Sequence, residues 1–251
     1  MLTGFFLAWR FLTILPGGRE NPDPPPRDLG RSTAYYPLVG LFLGMLLWGA
    51  FWLLAQAFPR PLCDGLVILL LVLLTGAFHL DGLADSLDGL AAGKTPAERL
   101  QIMRDHRVGA FGAVGLILIL GIKFLALNSL PGEVLGKALL VSPALSRWSM
   151  VQLIYRSPCA RPEGGLGKIF KENVRKREMA AATALSLAAA ISLFRFWGAV
   201  LWLMIGVSAL GVQALFTRRI GGITGDVLGA ANEIHEVLAL LILSGIYHRF
   251  Y

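Results

Sequence analysis

The sequence predicts an all-α, polytopic membrane bundle of six to seven spans, and three observations carry that prediction. The 251 residues are 55% hydrophobic and only 16% charged, with a mean hydropathy of +0.64. A soluble domain is nearer 25% charged. Several apolar stretches reach the roughly 20 residues that a helix needs to cross a bilayer. The basic residues also gather in alternate loops, as expected of a chain that threads a membrane repeatedly.

The elements follow in order. Residues 1–12 are apolar but interrupted by Arg10, and no small-x-small cleavage site follows. That pattern fits an interfacial or short embedded helix better than a signal peptide. Spans are expected at 36–58, at 65–80 running on into an acidic motif, and at 109–130, 134–155, 179–194, 197–217 and 228–247. The loops at 17–35, 94–107, 156–178 and 218–227 hold 16 of the 23 Lys and Arg residues. The alternate connections at 59–64, 131–133 and 195–196 hold only Arg60 and Arg195. The first set is therefore expected in the cytoplasm. The net charge of +7 is largely this topology signal, and no nucleic-acid motif accompanies it. The whole chain, 1–251, reads as one membrane-embedded domain, with the lipid bilayer as its surroundings. Cys63 and Cys159 are too few and too separate for a disulfide framework.

The most informative stretch is His79-Leu-Asp-Gly-Leu-Ala-Asp-Ser-Leu-Asp-Gly89. On a helix Asp81, Asp85 and Asp88 fall within an arc of roughly 60°. Three like charges on one stripe repel, and each is costly at a bilayer centre. A hard divalent cation with oxygen ligands is the simplest counter-charge, against a solvated acidic helix end as the plain alternative. Gly82 and Gly89 on the same stripe would leave room for a ligand. Near the C-terminus, Asp226 and Glu233 are seven residues apart and share a face in the same way. Asp226 reads as a further metal ligand or a helix N-cap. Glu233 reads as a base, an outer support of the metal site or a buried partner of an arginine.

Basic candidates flank these acids on the same expected side. Arg104, Arg107, Arg161 and Lys168 could hold phosphate oxygens, and Arg31 and Lys94 are further substrate-binding candidates. Asp105, between Arg104 and Arg107, is either a proton acceptor or a local ion-pair partner. His79 at a span end reads as structural. The run Arg175-Lys-Arg177 reads as a topology and lipid-surface feature. Lys123 and Arg147 lie within spans and must find a partner or a water-filled cavity. Gly40-x-x-x-Gly44 is a close-packing motif of membrane helices. Carboxylates for a cation, cations for phosphates and glycines for close approach together suit phosphoryl transfer.

Two resemblances bear on the chemistry. Asp85-x-x-Asp88-Gly89-x-x-Ala92 is similar to the opening of the CDP-alcohol phosphotransferase motif. Gly93-Lys94 then stands in place of its arginine, and the downstream paired aspartates are missing. Arg31-Ser-x-x-Tyr-Tyr-Pro-Leu-Val-Gly40, the 79–89 stretch, Ile102-Met-Arg-Asp-His-Arg-Val-Gly-x-Phe-Gly112 and Gly225-Asp-x-Leu-Gly-Ala together resemble the cobalamin synthase family, the adenosylcobinamide-GDP ribazoletransferases, nearly end to end. The resemblance implies an Mg²⁺-dependent transfer by a catalytic domain, 1–251, of a prokaryotic cytoplasmic (inner) membrane. The hydroxyl of α-ribazole, or of α-ribazole 5′-phosphate, attacks the cobinamide-linked phosphate of adenosylcobinamide-GDP and GMP leaves. His106 departs from the pattern, which has a small polar residue there. The rival functions are a phospholipid synthase of the CDP-alcohol type and a transporter. A transporter would place its charged site near the midplane, often between two related halves. The sequence leaves the oligomeric state open, a homo-oligomer included.

Overall fold

A computed structural model describes residues 2–18, 24–105, 107–161 and 163–250. Among them the chain is helical, without strands, and a single parallel bridge joins Cys159 to Ile223. A short helix α1 (Leu2–Leu12) precedes α2 (Pro26–Ser32), which runs through a 3₁₀ turn into α3 (Tyr36–Leu54). There follow α4 (Arg60–Leu74), α5 (Phe78–Ala92), α6 (Pro96–Ile102), α7 (Ala110–Asn128), α8 (Gly132–Arg156), α9 (Leu166–Asn173), α10 (Lys176–Ile220) and α11 (Gly225–Phe250).

Four segments are long and apolar enough to cross a membrane, or five if the bent pair α4–α5 counts as one. The 45-residue α10 is folded back on itself. Arg195 has φ 51° and ψ −124° inside it, and the Trp202 indole donates to the Ser186 hydroxyl at 3.0 Å. Sixteen residues along a straight helix would separate these groups by about 24 Å. The two expected spans at 179–194 and 197–217 are therefore the arms of this hairpin. Gly198 allows its closure, since a Cβ there would meet the Ala190 carbonyl.

The central helix is α8, packed against α3, α10 and α11. It is too polar to pass as a span by hydropathy, yet every residue from 142 to 154 is buried. Its seam with α3 follows from Gly40 and Gly44, whose missing side chains admit the α8 backbone at Pro143 and Leu139. Pro143 cannot donate to the Leu139 carbonyl, and that freed carbonyl lies against Gly44. Large apolar side chains such as Trp52, Ile117, Leu125 and Phe196 are left exposed, as befits helices whose outer faces meet lipid.

One expectation is corrected. The span at 65–80 does not run straight into the acidic motif. Gly76 and Ala77 both take positive φ (61° and 59°), and α4 and α5 meet at 87°. The loop pairing holds. Arg60 donates to the Leu127 and Leu130 carbonyls at one end of the bundle (2.9 and 3.1 Å). At the other end Arg99 donates to the Arg219 carbonyl at 3.0 Å, and Arg161 reaches the Leu100 carbonyl at 3.3 Å. The basic loops after α5, α8 and α10 thus share one end.

Candidate active site

At that end α5 and α11 approach so closely that a Cβ on Gly82 would lie 2.7 Å from the Asp226 carbonyl oxygen and 2.9 Å from its Cα. Gly229 meets the His79 backbone reciprocally, at 3.1 Å. Glycine at these two positions lets the acidic starts of two helices share one wall. Beside them opens a cavity of about 390 Å³ lined by Asp81, Asp226, His79, Arg10, Met150 and Leu166, among others. Asp81 is exposed, and Asp226 is part-buried with 26% of its side chain accessible. The Thr224 hydroxyl donates to Asp226 at 3.1 Å, and Arg161 stands 3.5 Å from the same oxygen.

The acids of the 79–89 stretch do not form one cluster. Asp88 turns to the start of α7, where the amides of Gly109 and Gly112 donate to its two oxygens at 2.7 and 2.9 Å. It thereby caps a helix whose first-turn amides have no partners of their own. The glycines are required there because side chains at 109 and 112 would collide with the Asp88 carboxylate. Asp85 lies half-buried between these two positions. Gly89 leaves no ligand space either. It packs against Met103 and the Arg99 carbonyl.

Glu233 is also placed elsewhere than a base requires. It lies two turns below Asp226 on α11, buried, where Lys123 donates to it at 2.7 Å. Lys123 also donates to Glu236 at 2.8 Å, and Arg147 pairs with the other Glu236 oxygen. Two cations and two carboxylates from α7, α8 and α11 thus neutralise one another inside the bundle. Lys123 and Arg147 find the partners that their position in spans demands. Asp105 is exposed and accepts the Arg107 backbone amide at 3.2 Å, a local turn remote from the cavity lining.

The basic candidates divide similarly. Arg161 reaches the cavity through Asp226, and Lys168 is half-buried on α9, which also supplies Leu166 to the lining. Arg104 pairs with Glu163 at 2.8 Å, both exposed. The Glu163 backbone amide first, and then Arg104, hold that carboxyl below its ordinary range. Arg107 and Lys94 are exposed, and the Lys94 backbone amide donates to Glu98 at 2.8 Å. Arg31 lines a different, adjoining cavity. His106 lies outside the described residues. Sequence reasoning gave no role to Arg10 and read His79 as structural. Both line the cavity, and the charge at 10 inside an apolar run was the available signal for the first.

The donor set suits a small hard cation. Among the described residues no three His, Cys, Asp or Glu side chains converge as a complete metal cage. Mg²⁺ does not ask for one. It is commonly held by one or two carboxylates together with substrate phosphates, and Asp81 with Asp226 provides such a pair.

The family comparison covers nearly the whole molecule. Residues 4–244 match the model of a family described as cobalamin-5-phosphate synthase. The chain belongs to the cobalamin-5-phosphate synthase family. Curated relatives named adenosylcobinamide-GDP ribazoletransferase include one from Geotalea daltonii, 40% identical with all of both chains covered. One from Pseudomonas putida is 44% identical over 96% of this chain and 98% of its own. One from Syntrophobacter fumaroxidans is 38% identical over 98% of this chain and all of its own. No solved structure matches. The family assignment decides against a CDP-alcohol phospholipid synthase and a transporter.

Proposed function

We propose that this chain performs the transfer its relatives' names describe, and does so in the cavity between α5 and α11. The acceptor is α-ribazole or α-ribazole 5′-phosphate, and the donor is adenosylcobinamide-GDP. A hydroxyl oxygen of the acceptor bonds to the cobinamide-linked phosphorus, the bond from that phosphorus to the bridging oxygen breaks, GMP leaves with that oxygen, and the hydroxyl proton passes to the departing phosphate or to water. The observation that carries the location is the meeting of Asp81 and Asp226 through Gly82, beside the phosphate-capable Arg161.

Mg²⁺ held by Asp81 and Asp226 would neutralise diphosphate charge. Arg161 and Lys168 supply further positive charge near the same wall, because a diphosphate carries more charge than one divalent ion balances. Arg104 and Arg107 sit farther out and form the approach for an anionic substrate. Neither Asp105 nor Glu233 is positioned as the proton acceptor. The apolar lining from Phe11, Phe78, Met150 and Leu228 excludes water from the displacement. The basic loops at this end support a cytoplasmic, prokaryotic location for it by the positive-inside rule, on the side where nucleotide substrates are available.

The test is direct. Purified protein in detergent, given adenosylcobinamide-GDP, α-ribazole and Mg²⁺, should release GMP in proportion to the joined product, both followed chromatographically. GMP release without joined product, or no release at all, would contradict the proposal.

A further inference from the structure

A second and larger cavity, about 640 Å³, adjoins the first and is lined by Arg31, Arg177, Asp28, Glu178, Tyr35 and part of α1. One face of α1 serves both. Thr3, Gly4 and Leu7 line the larger cavity, while Arg10 and Phe11 line the smaller. These positions recur at helical spacing on a single stripe. Leu7 and Arg10 are one turn apart, about 4.5 Å along the axis. The opposite face of α1, with Ala8 and Leu12, is buried in the protein. α1 therefore lines both cavities, its Leu7 turn facing the larger and its Arg10 turn the smaller.

The electrostatics of the larger compartment point to an anion. Arg31 stands 3.8 Å from Asp28, and Arg177 stands 3.4 Å from Glu178. Both separations exceed the roughly 2.7–2.9 Å of a committed charge-assisted hydrogen bond. Glu178 is otherwise engaged, accepting the Arg175 amide at 3.1 Å. The lining sets Arg31 and Arg177 against Asp28 and Glu178, and Arg27, Arg175 and Lys176, just outside it in the same segments, leave the surroundings net positive. The side chains of Arg31 and Arg177 are 62% and 80% exposed, so their guanidinium groups can turn to a ligand. Two planar donors beside an apolar floor of Leu7, Ala34 and Ala181 match a phosphomonoester on an organic group.

We propose that this compartment binds the 5′-phosphate of a phosphorylated nucleoside acceptor, with Arg31 and Arg177 as its ligands, while the acceptor's hydroxyl reaches into the Asp81–Asp226 cavity. The inference rests on the transferase reading above. It makes Arg31 and Arg177 determinants of the choice between α-ribazole and its 5′-phosphate. It also accounts for the difference between a family described by a 5-phosphate product and relatives named for ribazole transfer.

The experiment compares kcat/KM for the two acceptors, phosphorylated over unphosphorylated, in the full chain and in its Arg31→Gln and Arg177→Gln variants. The unsubstituted protein should favour the phosphorylated acceptor, and each variant should lower the ratio at least tenfold, with Arg31→Lys and Arg177→Lys restoring part of it. Partial misfolding lowers both acceptors alike and cancels in the ratio, so an unchanged ratio overturns the proposal. A lipid phosphate offers the same chemistry, so the ratio is measured in detergent with and without added phosphatidylglycerol. An unmoved ratio supports the nucleotide, and collapse on adding lipid assigns the compartment to the headgroup and overturns the proposal. If the unsubstituted protein turns over neither acceptor, the reaction itself is wrong and the proposal falls with it.

Discussion

Two pairs of acids with the same seven-residue spacing meet opposite fates. On α5, Asp81 opens into the cavity and Asp88 is spent on the amides of Gly109 and Gly112. On α11, Asp226 opens into the same cavity and Glu233 is spent on Lys123. In each helix one residue keeps an accessible carboxylate, and the other, two turns along and buried, is neutralised by protein. A deep carboxylate has no water to solvate it and must find a cation or several amides. A carboxylate at the rim can wait for a ligand. Burial, rather than residue type or spacing, separates the accessible acids from the structural ones.

The largest effect should come from the rim. Asp81→Asn and Asp226→Asn keep shape and remove charge, so activity should fall by about 10²–10³, the range seen when one preorganised electrostatic group is lost. Thermal stability, followed by fluorescence in detergent, should change little. Full activity in both variants would remove the site.

The buried acids should show the converse. Glu236→Gln leaves Arg147, whose Nε and Nη2 already lack partners among the described residues, with a buried charge to lose. Removing one partner of such a pair costs about 3–5 kcal/mol. The variant should unfold at markedly lower denaturant concentration, and an unchanged midpoint would show that the network does not stabilise the bundle. Asp88→Asn should cost less, about 1.5–3 kcal/mol in all, since the amide oxygen of Asn still accepts one of the two bonds. Its signature should be faster amide exchange at the start of α7, and unchanged exchange there would refute the capping role.

Much of this division was hidden in the sequence, for identifiable reasons. Class, loop pairing and the glycine seam between α3 and α8 follow from hydropathy, charge placement and Gly40-x-x-x-Gly44, all of them local patterns. That Lys123 and Arg147 need partners is equally legible, because charge inside a span is costly wherever it occurs. Which partners they take is not, since Glu233 and Glu236 lie about a hundred residues away. The 87° bend at Gly76–Ala77 was missed because apolarity runs on through it, and hydropathy is blind to φ. The stripe of three aspartates was correctly placed on one helix face. Its reading as one cluster failed because α7 arrives beside Asp88 and supplies amides, a tertiary event.

The smallest perturbation tests the shared end. Single cysteines placed at 104 and 168, in a background without Cys63 and Cys159, should react with a membrane-impermeant maleimide only from the cytoplasmic side. Labelling from opposite sides would contradict the fold.

The contrast along α11 is tested most directly by the Mg²⁺ dependence of turnover in Asp226→Asn and Glu233→Gln, measured on monodisperse protein. The half-saturating Mg²⁺ concentration should rise on the order of tenfold or more in the first and stay in place in the second, whatever Glu233→Gln does to stability. An unshifted Mg²⁺ dependence in Asp226→Asn, with a raised one in Glu233→Gln, would put the metal with the deep carboxylates and contradict the assignment of the rim.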